Sequence, residues 1–101
     1  MNERRILALL KAGHVVFRYP LKAYFMEGEG GFGVSVPKRS FKRAVKRNLL
    51  KRRMREAFRL NSGRLGERKL DIFVYYVGKT IEDYGRIEKS FVEILDDVAS
   101  D

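Results

Sequence analysis

Cysteine is absent from the 101 residues and histidine occurs once. The first absence excludes disulfides, thiolate catalysis and a cysteine-based zinc site. The second leaves neither a His pair nor a protein-based Ser-His-Asp arrangement to assemble, and His14, directly after Gly13, reads as a strand-edge side chain. No apolar run approaches the roughly 20 residues needed to cross a bilayer. Residues 1–5 lead only into a short apolar stretch without a small-residue cleavage pattern, so neither a membrane span nor a secretory signal is expected and the chain reads as cytoplasmic. Acidic residues are scarce over most of the chain. Residues 1–69 hold 19 Lys and Arg against 5 Asp and Glu, whereas residues 70–101 hold 3 against 8.

The formal charge of +9 is therefore concentrated, not spread. A clustered cationic surface suits a polyphosphate partner, because neutralised phosphates release condensed counterions. Apolar residues make up 45% of the chain, an ordinary globular share, and this length carries one modest core. One domain spanning residues 1–101 is expected, and its charge favours a nucleic-acid partner over a merely soluble basic protein.

Along the chain, Ile6, Leu7, Leu9 and Leu10 fall on one side of a helix over residues 3–12, which Gly13 can terminate. Residues 15–27 are rich in Val, Phe and Tyr and read as strands divided by Pro20. The turn Glu27-Gly28-Glu29-Gly30-Gly31 then predicts an antiparallel pairing with a strand over residues 32–36. Ser40 is a plausible N-cap for a helix over residues 41–60, which contains neither Gly nor Pro and buries Leu50, Met54, Ala57 and Phe58. The nearly continuous apolar run of residues 70–77 predicts a central strand buried on both faces. Thr80 and Asp83 open a last helix whose Tyr84, Ile87, Phe91, Ile94 and Val98 keep helical spacing.

Residues 41–60 carry nine cations, Lys42, Arg43, Lys46, Arg47, Lys51, Arg52, Arg53, Arg55 and Arg59, against the single acid Glu56. Like charges one turn apart weaken a helix by a few tenths of a kcal/mol per pair, roughly, so this crowd calls for abundant solvent or an anionic partner. At about 100° per residue, Asn48, Lys51, Arg52, Arg55 and Arg59 share an arc facing away from the apolar stripe. Arg presents forked donors to phosphate oxygens, and Asn48 offers both a donor and an acceptor. The glycine-rich residues 27–33 lack the Gly-Lys-Ser/Thr ending of a phosphate-cradling loop and read as a hairpin turn. Asp96, Asp97 and Asp101 could attract Mg²⁺, but a chain end rarely holds its octahedral geometry. Of the aromatics Phe17, Tyr19, Tyr24, Phe25, Tyr75 and Tyr76, about half should be core, and any on an open face beside the basic helix could stack bases.

The string Ala44-Val45-Lys46-Arg47-Asn48-Leu49-Leu50-Lys51-Arg52-Arg53-Met54-Arg55-Glu56-Ala57-Phe58, preceded by Val34-Ser35, resembles the basic-helix signature of the bacterial ribonuclease P protein component. The likeness extends through a short helix ending in glycine, paired strands with Tyr24, an apolar strand and a final helix. Leu49 stands where the family usually has a second arginine after Arg-Asn, and Ile6 and Leu10 stand where its first helix commonly carries aromatics. The resemblance implies an α+β fold, a two-layer α/β sandwich of about four strands and three helices. It would be ribosomal-protein S5 domain 2-like, with a left-handed βαβ crossover.

It further implies an accessory subunit of a ribonucleoprotein endoribonuclease whose catalytic RNA, with Mg²⁺, trims the 5′ leader from precursor tRNA. On that reading Lys42, Lys46, Arg47, Asn48, Lys51, Arg52, Arg55 and Arg59 bind RNA, with RNA-shared Mg²⁺ possible near Asn48. Leu10 and Tyr24 belong to a cleft for the leader. The partners would be the catalytic RNA and precursor tRNA, with no membrane or DNA and no cofactor held by the protein alone. A ribosomal-protein-like structural RNA binder is the competing reading. A self-sufficient nuclease lacks a carboxylate cluster, and a helix-turn-helix DNA binder lacks a short helix before the basic one.

Overall fold

A computed structural model describes residues 1–100. The elements run α1 (Glu3–Ala12), β1 (His14–Arg18), β2 (Leu21–Glu27), β3 (Phe32–Ser35), α2 (Ala44–Asn61), a 3₁₀ turn (Ser62–Leu65), β4 (Leu70–Tyr76) and α3 (Tyr84–Ala99). Together they form an α+β sandwich of three helices on a four-stranded mixed sheet, ordered β1-β2-β4-β3.

Local chemistry accounts for most boundaries. The Asn2 side chain caps α1 by accepting from the Arg5 amide, and the Gly13 amide closes its other end on the Leu9 carbonyl. Pro20, preceded by a cis peptide bond, separates β1 from β2, which pair antiparallel. The pairing expected across the glycine turn does not form. β4 lies between β2 and β3, antiparallel to the first and parallel to the second. The run 70–76 has apolar side chains for both faces, so it takes the central place, and residues 28–31 pass across its end instead of closing a hairpin.

Two further expectations are corrected. α2 begins at Ala44, not near Phe41, and Ser40 does not cap it. Ser40 and Phe41 instead turn back on the Pro37 carbonyl, and the Phe41 ring is buried edge-on against Tyr76, with centroids 5.7 Å apart. Burying that ring sets the chain direction before the helix can start. At α3 the cap is Asp83, accepting from the Arg86 amide at 2.8 Å, while the Thr80 hydroxyl turns to Glu82.

The alternation of each strand divides the sheet into two faces. Leu21, Ala23 and Phe25 of β2 and Ile72, Val74 and Tyr76 of β4 pack with Leu50, Met54 and Ala57 of α2 and Ile87, Phe91, Ile94 and Val98 of α3 in one buried core. Phe58, half-buried as the last member of the α2 stripe, stacks on Phe32 of β3 at 3.8 Å. The opposite face carries α1 at one end only. There Arg5 pairs with the buried Asp71 carboxylate, which also accepts from the amides of Gly31 (2.7 Å) and Glu29 (3.2 Å). Burial pushes the Asp71 carboxyl up, but the Gly31 amide and the Arg5 guanidinium outweigh it and hold it below the ordinary carboxylate range. This clasp ties α1, the glycine segment and β4 together and leaves the rest of that face open.

Candidate RNA interface

Two surfaces of different chemistry flank the β3 edge. The first is α2. Asn48, Arg52, Arg55 and Arg59 are exposed along its outward arc, and Lys51 is half-buried at the margin of that arc. Phe58 touches β3, and Lys51 and Arg55 project within about 20° and 60° of it around the helix, so the arc turns toward the β3 edge. Among the described residues Lys42, Lys46, Lys51, Arg52 and Arg55 enter no ion pair. Arg59 does, pairing with Glu56 at 2.6 Å, an exposed contact that lowers the carboxyl pKa and raises that of the guanidinium.

The remaining expected residues lie elsewhere. Lys42 precedes the helix, and Lys46 projects from another side of it beside Lys79. Arg47 is half-buried and donates to the carbonyls of Phe41 and Lys42, both at 2.8 Å. Arg53 reaches the Glu82 carbonyl at 2.7 Å and ties α2 to the start of α3. Leu49 is half-buried and outside the core cluster, whereas Val45, one turn earlier, is 79% exposed. The two therefore do not enter the core as a pair.

The second surface is the open face of the sheet. Strand register places Val15, Tyr24, Phe73 and Gly33 in one cross-strand row and Phe17, Lys22, Tyr75 and Ser35 in the next. Tyr24 and Tyr75 meet edge to face at 6.1 Å, Phe73 and Tyr75 at 5.0 Å, and the Lys22 ammonium sits 5.4 Å from the Tyr24 ring centre. Phe17 is 54% exposed and Val15 51%. Gly33 is required here, because a Cβ would lie 2.8 Å from the Phe73 ring. Phe25 and Tyr76 point into the core, and Tyr19 instead faces the Arg86 guanidinium at 5.7 Å. Leu10 is half-buried on α1, the helix that packs on the same face as Tyr24.

Residue types alone could not sort these aromatics, since the face each strand turns outward follows from its partners. Phe17, Lys22 and Tyr75 were thus missed as members of one surface with Tyr24. Arg39 and Lys79 were missed as well; a small pocket beside Tyr75 is lined by both and bridges the open face to the start of α2.

Three acidic residues neutralise cations away from α2, two of them in the C-terminal part. Asp97 pairs with Arg18, Asp96 with Arg64 at 3.2 Å, and Glu27 with Arg68 at 3.6 Å. Asp96 and Asp97 thus serve ion pairs, and Asp101 lies outside the described residues. His14 opens β1 as an exposed side chain against Phe25, 5.3 Å between ring centres. Among the described residues no group of three or more His, Cys, Asp or Glu is placed to hold a metal ion. Asn48 offers one neutral carbonyl oxygen among cations, a donor set that does not fit Mg²⁺ held by the protein by itself. No helix among the described residues is long and apolar enough to cross a membrane.

Comparison with known proteins bears on the family and the fold. The chain is 35% identical over 98 residues to the ribonuclease P protein component of Porphyromonas gingivalis, covering 81% of this chain and 72% of that protein. Its fold matches the ribonuclease P protein of Staphylococcus aureus with a TM-score of 0.81 at 24% identity, over 97% of this chain and 92% of that one. It matches the ribonuclease P protein of Thermotoga maritima with a TM-score of 0.80 at 25% identity, over 91% and 92%. A family model described as Ribonuclease P fits residues 2–99, nearly the whole of the described chain. A cationic helix beside an aromatic sheet face, on this fold and with these relatives, places the chain in the ribonuclease P protein family.

Proposed function

We propose that this chain acts as one RNA-binding domain, the protein subunit of a bacterial ribonuclease P, with its two surfaces dividing the work. The α2 arc of Asn48, Lys51, Arg52 and Arg55 binds the phosphate backbone of the catalytic RNA, with Lys42, Lys46 and Arg59 at its margins. The open face around Tyr24 receives the single-stranded 5′ leader of precursor tRNA. The observation that carries this reading is that α2, with Lys51, Arg52 and Arg55 outside any ion pair among the described residues, packs its Phe58 on β3 of the sheet whose other face holds the half-buried Tyr24 and Tyr75.

Each surface acts through a different physical term. Cations on α2 gain affinity by releasing counterions from the RNA, a term without sequence preference. Aromatic rings accept any base on their faces, contributing about 1–3 kcal/mol per stacked base. Leu10, on the helix flanking that face, lines the leader cleft with an aliphatic side chain in place of an aromatic one. The hydrolytic step belongs to the RNA, whose phosphates would hold the Mg²⁺; among the described residues no carboxylate cluster is placed for it. An assembly that acts on precursor tRNA would work in the cytoplasm.

The test compares the reconstituted holoenzyme's affinity for precursor tRNA carrying a leader of several nucleotides with that for mature tRNA. Replacing Tyr24 and Tyr75 with Ala should shrink the preference for the leader-bearing form by about 5- to 100-fold, as expected when one or two base stacks are removed. An unchanged preference would remove the leader from this face.

A further inference from the structure

Arg47 belongs to the basic helix, yet it does not stand on its outward arc. It projects within about 20° of the fully buried Met54 and folds back over the start of α2, where one guanidinium nitrogen donates to the carbonyls of both Phe41 and Lys42. We propose that Arg47 is a positioning residue, holding the turn before α2 in the shape that presents Lys42 and Arg43 to RNA phosphates. The inference rests on the RNA-binding reading of α2 and adds to it a role for a half-buried residue whose guanidinium is turned to the chain's own carbonyls.

The turn needs such a tie. Arg43 occupies the N-cap position without a side-chain hydrogen bond, and the first turn of α2 holds no acid. The positive end of the helix dipole and three neighbouring cations, Lys42, Arg43 and Lys46, repel one another there. Lys79 approaches from the β4–α3 loop and lines, with these three, a shallow pocket of about 440 Å³. Upstream, the chain is fixed by the Phe41 ring and by the Ser40 and Phe41 amides on Pro37. Beyond Phe41, the Arg47 bonds bring the two carbonyl oxygens under a positive charge and turn the Lys42 and Arg43 side chains outward, where both are exposed.

A double-mutant cycle on affinity for ribonuclease P RNA separates positioning from direct contact. Arg47→Ala should reduce the salt slope by about two units, the contacts of Lys42 and Arg43, against about one for Arg52→Ala. In a Lys42→Ala, Arg43→Ala background, adding Arg47→Ala should weaken binding by less than about twofold, because the contacts it serves are already gone. Additive losses would instead assign Arg47 to a phosphate. Arg47→Lys supplies a second readout: a direct phosphate contact tolerates the ammonium. Positioning predicts a loss near that of Arg47→Ala, since the shorter stem does not span to both carbonyls. Retention of near wild-type affinity by Arg47→Lys would overturn the proposal. If the wild-type protein fails to bind the RNA at all, the functional reading falls and this inference with it.

Discussion

Removing the Asp71 carboxylate should loosen the end of the molecule where α1 meets the sheet. Its oxygens receive Arg5, the Gly31 amide and the Glu29 amide, and its side chain is almost entirely buried. Asp71→Ala leaves those donors facing an apolar gap. An abandoned buried donor costs about 1–3 kcal/mol, and breaking a buried pair about 3–5 kcal/mol. Arg5 is a third exposed, so water can recover part of its hydration, and the expected loss is about 2–4 kcal/mol. In a chain of this size that lowers the melting temperature by roughly 10–25 °C. The same contacts make a pH prediction. The folded carboxyl is held below its ordinary value near 3.8, so its contribution is complete above that value and disappears as pH falls through the lower folded value. Wild-type melting should therefore fall in that acid window by more than the melting of Asp71→Asn does. Thermal melts from pH 7 to pH 2 measure both effects. A drop under about 3 °C for Asp71→Ala at neutral pH, or parallel acid profiles for wild type and Asp71→Asn, would refute the clasp as a stabilising element.

Leu49→Arg should leave the melting temperature within a few degrees, because Leu49 lies outside the core cluster, and should tighten RNA binding about two- to fivefold through one screened contact. A large loss of stability would show that Leu49 packs as core. For Lys51→Ala and Arg52→Ala, the plot of log affinity against log salt should flatten by about one unit for each phosphate that is no longer neutralised; an affinity insensitive to salt in the wild type would contradict the phosphate model outright.

The outline of the fold was legible in the sequence wherever the determinant is local. Gly13 ends α1 where its spacing predicts, and the unbroken apolar run of β4 announces the central strand. Pairing was not legible. β2 and β3 are neighbours in sequence, but the strand that fits between them arrives more than thirty residues later and brings the apolar surface both require. The start of α2 escaped for a similar reason, since Ser40 has cap chemistry but Phe41 beside it is drawn into the core. At the interface, the 100° spacing identified the outward arc, because a helix face depends on the helix alone. What Arg47, Arg53 and Arg59 bind depends on the turn before α2, the loop before α3 and Glu56, respectively. Sequence spacing treats every Arg as equally free. The open sheet face needed both register and topology, and only then did Phe17, Lys22, Tyr24 and Tyr75 become one surface.

On the function proposed above, this protein supplies binding surfaces and the RNA subunit supplies the chemistry. The direct measurement is cleavage of precursor tRNA at low Mg²⁺ by three preparations: the protein alone, a bacterial ribonuclease P RNA alone, and the two combined. Product with a mature 5′ end is expected only in the combined reaction. Cleavage by rigorously RNA-free protein, or a combined reaction no faster than the RNA alone while the protein is bound to it, would contradict a binding role for this protein.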